Sequence, residues 1–318
     1  MFVIALGLAG LGSALRFAGL ALEEARLLSA GYSILIFAGI VLVIDVLIYL
    51  GKVFRVRGHV VQDLTMATSA NMLAPGFMVA TVIGGVSASE WDGGSYLWLA
   101  GSIGHLILLV GFVGRWLQRD YKPEALNPTW FMPAAGIMTS AMAWPGFGPI
   151  ELPMFTLTVG GVLWFTLLPL IFRRLVLEPA VEPKLRPTLF IIAAPFGLMA
   201  GGLLTLFPSL PRVVPELILA GGTFFILVLL TSVPFLHKAG ATLAWWSPTF
   251  PVATVASGYL RIGGDLNSIT MIAGLTLLVI ACVTTSLAVL ATIHVAWLAI
   301  FATNEDPPPA SDVTPKPN

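Results

Sequence analysis

Charged residues are scarce in this chain: they make up 10% of its 318 residues, whereas 57% of the residues are hydrophobic. Soluble domains typically carry about 25% charged residues. A soluble fold with so few charges would expose large apolar patches and aggregate. The composition therefore predicts an integral membrane protein that is surrounded by a lipid bilayer.

The sequence also lacks the marks of several other classes of protein. Its 16 basic and 16 acidic residues balance, so no excess of positive charge indicates nucleic-acid binding. The single cysteine, Cys282, excludes an intramolecular disulfide and a cysteine-based metal site. No nucleophile triad or metal motif stands out. The glycine-rich GLAGLG at residues 7–12 is not a phosphate-binding loop, because it lies in an apolar helix and follows no strand. An enzyme is thus the weakest functional class, and we expect no cofactor.

Ten apolar segments each have roughly the 20 residues that a membrane-spanning helix needs. They start near Phe2, Ala30, Met72, Tyr96, Thr129, Met154, Thr188, Pro215, Thr242 and Ile269. The polar, Pro-rich residues 304–318 are expected to be disordered. The sequence therefore predicts an all-α fold, with a ten-helix transmembrane domain at residues 1–303 and a disordered cytoplasmic tail at residues 304–318.

The lysines and arginines between these segments indicate an orientation, because cytoplasmic loops carry an excess of them. If the N-terminus is cytoplasmic, most basic residues fall in cytoplasmic loops or the tail: Lys52, Arg55, Arg57, Arg115, Arg119, Lys122, Arg173, Arg174, Lys184, Arg186, Lys238 and Lys316. Only Arg16, Arg26, Arg212 and Arg261 then lie outside. This bias predicts that both termini are cytoplasmic, which an even number of spans requires.

A proline recurs early in four of the odd-numbered segments. Pro75, Pro133, Pro195 and Pro251 are 58, 62 and 56 residues apart, which is about the length of one helical hairpin. Small residues follow each proline, whereas the even-numbered segments are richer in bulky aliphatic residues. The pattern predicts five repeats of a two-helix unit, with the prolines as kink sites.

The two kinds of segment suit different surroundings. Small residues let helices approach closely, whereas bulky aliphatic residues suit lipid. A proline removes a backbone donor and frees carbonyl groups, which are tolerated at membrane depth only inside protein or beside a water-filled cavity. The pattern favours a ring of five inner helices around a central pore. Ordinary tight packing with incidental kinks is the alternative.

We find no acidic or basic residue between the ends of the odd-numbered segments. This argues against the carboxylate chain of a proton-coupled carrier and the acidic ring of a cation channel. The candidate lining consists of hydroxyl groups and phenylalanine rings: Thr81, Thr139, Ser140, Thr205, Thr254, Ser257, Phe131 and Phe196. Such a path beside basic loops favours anions, although basic loops also follow from the orientation alone.

Three polar residues in the even-numbered segments are interpreted as structural. Asp45 lies in an apolar run, where we expect it to pair with an arginine or to cap a neighbouring helix. His105 and His294 stand alone without metal-ligand spacing, so neither indicates a proton relay.

Three stretches carry a family resemblance: FVIALGLAGLGSALR at residues 2–16, NPTWFMPAAGI at residues 127–137, and AWWSPTFPVATVASGYL at residues 244–260. In these the chain resembles the family that holds the plant guard-cell slow-type anion channels, the bacterial tellurite-resistance protein TehA and fungal C4-dicarboxylate transporters. The resemblance covers residues 1–303. Its most specific part is WW-x-x-TFP at residues 245–251.

The resemblance implies ten helices as five helical hairpins in a quasi-fivefold arrangement around a central pore. It also implies a homotrimer in the cell inner (plasma) membrane, and a phenylalanine of the ninth helix that occludes the pore. By the motif that residue is Phe250, flanked by Thr249 and Pro251. Phe2 matches the first-helix phenylalanine of the family.

The resulting hypothesis is a gated passive channel for small inorganic anions such as chloride and nitrate. A secondary transporter of C4-dicarboxylates or tellurite-like oxyanions is the alternative, because the same family holds both. Pro251 is expected to bend the ninth helix so that the ring of Phe250 enters the constriction. Packing between inner helices is the alternative role for this ring.

Overall fold

The computed structural model describes residues 2–55 and 71–301, which form helices and turns and contain no strand. The α-helices are α1 (Val3–Ala21), α2 (Ala25–Arg55), α3 (Ala74–Ser87), α4 (Gly93–Gln118), α5 (Phe131–Ala134), α6 (Thr139–Met142), α7 (Glu151–Leu177), α8 (Ala194–Leu206), α9 (Val213–Thr231), α10 (Val233–His237), α11 (Thr249–Ile262) and α12 (Ile269–Phe301). The predicted all-α class is confirmed for this part of the chain. The tail predicted at 304–318 lies outside the described residues.

Seven helical stretches are long and apolar enough to cross a membrane, by length and composition. They are α1, α2, α4, α7, Pro183–Leu206, α9 and α12. The other three predicted spans are shorter or divided: α3 and α11 have 14 residues each, and a 3-10 turn at Gly136–Met138 separates α5 from α6. A 14-residue α-helix rises about 21 Å, less than the roughly 30 Å of a bilayer's hydrocarbon core.

The four repeated prolines lie in the first turn of an α-helix. Pro75 and Pro195 are the second residues of α3 and α8, and Pro133 and Pro251 are the third residues of α5 and α11. The first amides of a helix have no partner within it, so a proline there loses no hydrogen bond. Each proline therefore lies at the start of the α-helical part of its segment, so a kink there would fall at the junction with the preceding residues and not inside an α-helix.

Short 3-10 helices precede three of these proline-led helices. Pro128–Trp130 precedes α5, Pro183–Ala193 precedes α8, and Leu243–Trp246 precedes α11. A 3-10 helix rises about 2.0 Å per residue, against about 1.5 Å in an α-helix. These turns therefore lengthen segments whose α-helical part is too short to cross a bilayer.

Burial separates the spans into an inner and an outer group. In their most apolar windows, 67% of α1 and 72% of Pro183–Leu206 are buried, against 22–39% of α2, α4, α7, α9 and α12. In α11 every residue except Arg261 is buried. The segments rich in small residues thus lie inside the protein, and the aliphatic helices surround them.

The buried segments contact one another in a closed circuit. α1 packs against α3 and α11, α6 packs against α3 and α8, and α8 packs against α11. Each longer helix packs against a hairpin partner: α2 on α1, α4 on α3, α7 on the divided segment of α5 and α6, α9 on α8, and α12 on α11. The outer helices therefore cover the circuit from the lipid side.

α1 and α2 approach closely at two glycines. A Cβ atom on Gly12 would lie 2.9 Å from the carbonyl oxygen of Gly31, and a Cβ atom on Gly31 would lie 2.7 Å from the carbonyl oxygen of Gly12. Both obstacles are backbone atoms, which cannot move aside as a side chain can. A larger residue at either position would therefore force the two helices apart.

We predict that Gly31→Val destabilises the protein, because its side chain would meet the backbone of α1. Overpacking of this kind typically costs about 1–3 kcal/mol. Gly111→Val in α4 is the control, since nothing lies within 4 Å of a Cβ atom there. The melting temperature of the detergent-purified variants should fall for Gly31→Val only. An equal fall in both variants would contradict the close packing of α1 and α2.

Candidate functional site

Three cavities are lined by residues of the buried segments. The N-terminal cavity, of about 30 Å³, is lined by the first turns of α1, α5, α8 and α11 and by part of α3. The middle cavity, of about 30 Å³, is lined by the central parts of α1 and α11 with residues of α3, α6 and α8. The far-end cavity, of about 330 Å³, is lined by the C-terminal ends of the same segments.

Phe250 lies between the N-terminal cavity and the middle cavity. Among the described residues it alone lines both the N-terminal cavity and the middle cavity. Its side chain is only 4% exposed, so protein atoms surround the ring on most sides. Phe250 therefore lies at the boundary between the two spaces.

Hydrogen bonds fix the start of α11, which carries this ring. The indole Nε1 of Trp246 donates to Thr292 Oγ1 on α12 at 2.7 Å. Thr249 Oγ1 donates to the carbonyl oxygen of Trp246 at 2.7 Å, and Thr254 Oγ1 donates to that of Pro251 at 2.9 Å. The 3-10 turn and the first turn of α11 are thereby held together and tied to an outer helix.

The backbone of α1 forms one wall of the site that holds the Phe250 ring. A Cβ atom on Gly10 would lie 2.9 Å from Phe250 Cδ2 and 3.3 Å from the Cβ atom of Ala253. On the other side of α11, a Cβ atom on Gly197 of α8 would lie 2.7 Å from the carbonyl carbon of Thr254. Glycines on both neighbours thus allow α11 to sit tightly between α1 and α8.

The lining of the cavities changes along the protein. Around the N-terminal cavity, Ser247 supplies the one side-chain hydroxyl among the described lining residues, and the rest is apolar apart from the indole of Trp246. The middle cavity has the hydroxyls of Ser13, Thr254 and Ser257. Each of these donates to a backbone carbonyl of its own helix. The hydrogens of these hydroxyls are therefore engaged by the helix backbone.

Several of the predicted site residues meet around these cavities. Phe131, Pro195 and Pro251 line the N-terminal cavity together with Phe250, and Thr254 lines the middle cavity. Of the other predicted hydroxyls, Ser257 lines the middle cavity and Thr205 the far-end cavity. The structure thus brings together the residues around the TFP motif with the first turns of α5 and α8.

Other predicted residues lie away from all three cavities. The Phe2 ring packs 6.2 Å from that of Tyr49, and Phe196 packs against Trp164 and Phe225 at centroid distances of 4.7 and 5.6 Å. The remaining residues in this group are Pro75, Pro133, Thr249, Thr81, Thr139 and Ser140. Their side chains are part of the packing between helices.

The polar residues of the outer helices have mixed surroundings. His105 is buried, and its Nε2 donates to the carbonyl oxygen of Pro133 at 3.1 Å. This bond supports the divided segment at the point where α5 ends. Asp45 is also buried, and its Oδ2 has no hydrogen-bond partner among the described residues, so the predicted pairing with an arginine is not seen there. His294 is exposed on α12.

The sequence analysis missed two arginines that border the cavities. Arg16 is the fourteenth of the 19 residues of α1, and Arg261 is the next-to-last residue of α11. Both line the far-end cavity, and Arg261 also lines the middle cavity. The statement that the inner segments carry no charge between their ends is therefore corrected. The signal was in the sequence, because five further residues, mostly apolar, follow Arg16 before α1 ends.

The chain matches a family described as voltage-dependent anion channel over residues 1–298. No curated protein matches the chain. The matched range includes every residue that lines the three cavities and ends three residues before the end of α12. The match therefore covers the whole candidate site.

We predict an energetic coupling between Gly10 and Phe250, because a Cβ atom on Gly10 would collide with the ring. Gly10→Ala alone should lower the melting temperature, and it should lower it less in the presence of Phe250→Ala. Coupling between residues in contact is typically about 0.5–3 kcal/mol. Gly114→Ala combined with Phe250→Ala is the control, since nothing lies within 4 Å of a Cβ atom at Gly114. Additive changes in melting temperature for Gly10→Ala and Phe250→Ala would show that the ring does not contact α1.

Proposed function

Because the chain belongs to the voltage-dependent anion channel family, we propose that it is a gated passive channel for small monovalent anions such as chloride and nitrate. Members of this family are channels or transporters, and the chain is a multi-pass membrane protein. One observation carries the proposal: Phe250 borders both the N-terminal and the middle cavity. In the proposed channel this ring is the gate.

The closed circuit of contacts among the buried segments supports a pore at its centre. Five helical hairpins in quasi-fivefold order would each supply one inner segment: α1, α3, the divided segment of α5 and α6, α8 with its 3-10 turn, and α11. All five contribute residues to the N-terminal and far-end cavities. The three cavities are then successive parts of one pathway within a ten-helix domain at residues 1–303.

The gate closes by occupying the bore and by making its surroundings apolar. The side chains of Leu6, Phe131 and Leu198 line the N-terminal cavity beside Phe250. An ion that enters such a girdle loses water without gaining a polar partner, and a narrow apolar constriction excludes water itself. A closed state needs no charged residue at the constriction.

We place the N-terminal cavity on the cytoplasmic side of a cell inner (plasma) membrane, following the excess of basic residues in the loops at that end. The far-end cavity then opens to the outside. We further propose a homotrimer in which each protomer keeps its own pore, as the family resemblance implies. Exposed aliphatic residues on the outer helices, such as Leu47 and Ile107, supply apolar surface for lipid and for neighbouring protomers.

The middle cavity gives a second candidate function some support. Phe250 lies between it and the N-terminal cavity, and Arg261 lies on its lining. A carrier of C4-dicarboxylates or tellurite-like oxyanions would need a cationic group beside its substrate, and this cavity of about 30 Å³ would have to widen to admit such a solute. Flux through a carrier is slow and is coupled to a second solute, which distinguishes it from a channel.

We predict that Phe250→Ala raises anion conductance strongly over a wild type that is nearly closed, because the ring no longer fills the bore. Phe250→Leu should give an intermediate conductance, since a branched aliphatic side chain fills less space than the ring. Conductance is measured by patch clamp on cells with matched surface expression of each variant.

Phe196→Ala is the control for the loss of a packed aromatic ring, because Phe196 packs against outer helices and lines none of the cavities. Truncating a buried phenylalanine in soluble cores costs about 3–5 kcal/mol. A packing role for Phe250 would therefore lower yield in both alanine variants without added current. Unchanged or reduced current in a well-folded Phe250→Ala protein would refute the gate.

We predict that nitrate and iodide permeate the Phe250→Ala channel at least as well as chloride, because the apolar constriction cannot replace the water of a strongly hydrated anion. Reversal potentials in asymmetric chloride and nitrate measure this preference. They should follow the anion gradient alone, whereas a coupled carrier would also respond to a second ion. A clear preference for fluoride over nitrate would exclude selection by hydration cost.

A further inference from the structure

The far-end cavity contains two guanidinium groups without an acidic counterpart. Arg16 and Arg261 both line it, together with hydroxyl groups of Ser89, Ser95 and Thr205. None of its described lining residues is Asp or Glu. Two positive charges therefore face one space of about 330 Å³, and its described lining supplies no negative side chain.

Arg261 is held in place by α8. Its Nη1 donates to the carbonyl oxygen of Gly201 at 2.9 Å, and its Nη2 donates to Thr205 Oγ1 at 2.8 Å. A guanidinium has five N–H donors, so three of them have no protein partner in residues 2–55 and 71–301. The anchoring bonds hold the group beside the cavity instead of letting it extend along the surface.

Arg16 is positioned by aromatic rings. Its Nε donates to Tyr32 Oη at 3.2 Å, and its Cζ lies 5.7 Å from the centre of that ring. Phe17 lies beside both arginines, with its ring centre 5.5 Å from Arg16 Cζ and 5.1 Å from Arg261 Cζ. Cation–π contacts use the faces of the guanidinium groups, so most N–H edges remain available to a ligand.

The two arginines have no ion pair within the described part of the chain. Half-buried like charges that share one aromatic ring repel each other, and partial burial strips water from them. An arginine at a membrane surface commonly extends towards water, but here both groups are bound at the same cavity. An anion between them would relieve the repulsion and accept the free N–H groups.

We propose that Arg16 and Arg261 form a binding site for one small monovalent anion of the chloride or nitrate class at the outer entrance of the pore. The inference rests on the proposed channel function and adds a site to it. Phe17 and Arg261 also line the middle cavity, so a bound anion lies one cavity away from Phe250. The site gathers anions from solution and passes them to the constriction.

The test measures current against chloride concentration in the Phe250→Ala background, where the proposed gate is absent. Arg16→Gln and Arg261→Gln should each raise the concentration that gives half-maximal current roughly fivefold to tenfold, because each removes charge-assisted hydrogen bonds. Arg26→Gln is the matched control, since Arg26 is an exposed arginine at the start of α2 and lies outside the cavity lining. It should leave the half-maximal concentration unchanged.

Thermal unfolding tests anion binding without a current measurement. A ligand that binds the folded state raises the melting temperature. Nitrate, compared with gluconate at equal ionic strength, should raise the melting temperature of the purified wild type. It should raise the melting temperatures of Arg16→Gln and Arg261→Gln less. Arg261→Lys, which keeps the charge without the planar fork, replaces Arg261→Gln if the latter does not fold, and should lie between wild type and Gln.

The outcomes separate the site from the channel. Unchanged half-maximal concentrations in both arginine variants would overturn the site while leaving the channel intact. An equal shift in Arg26→Gln would also overturn it, because overall surface charge would then be the cause. If Phe250→Ala passes no anion current, the channel proposal fails, and the nitrate-dependent melting temperature alone decides whether the site exists.

Discussion

The close approach of α1 to α11 is the contact on which the other features depend. A Cβ atom on Gly7 would collide with the side chains of Thr249 and Trp246, and one on Gly10 would collide with Phe250. Helix association inside a membrane gains little from the hydrophobic effect and relies on close packing. Glycines at one face of α1 therefore let α1 pack closely against α11, the last of the buried segments, and this contact closes the circuit. The same contact holds the Phe250 ring at the boundary between two cavities.

The division into inner and outer segments could be predicted from the sequence, because the odd-numbered segments are rich in small residues and the even-numbered segments are rich in bulky aliphatic residues. The role of the prolines could not. A proline near the start of an apolar run is compatible with a kink and with a helix start. The decision depends on whether the preceding residues form α-helical or 3-10 turns, as in Pro183–Ala193 and Leu243–Trp246. That choice follows from tertiary contacts, which the local sequence does not contain.

The same limit explains which phenylalanines reach the cavities. Successive residues of an α-helix are about 100° apart, so the direction of a ring depends on its position relative to the helix start. Phe250 precedes its proline by one residue, whereas Phe196 follows Pro195 by one. Phe250 is thus the second residue of α11 and Phe196 the third residue of α8, so relative to the helix starts their directions differ by about 100° around the axis. Accordingly Phe250 lines two cavities, and Phe196 packs outward on Trp164. The family motif singled out Phe250, but proximity to a proline alone could not.

In the proposed channel, anion binding and closure occur at different places: the two arginines bind the anion, and the apolar girdle around Phe250 closes the pore. A cationic side chain at the constriction would hold an anion in a space with few competing water molecules, where electrostatic attraction is strong. Conduction requires binding strong enough for entry and weak enough for release. With the charges of Arg16 and Arg261 at the wider far-end cavity, water shares in solvating the anion and weakens its binding. Arg261 also lines the middle cavity, but it lies eleven residues along α11 from Phe250, and the N-terminal cavity on the other side of the ring has no charged residue in its described lining.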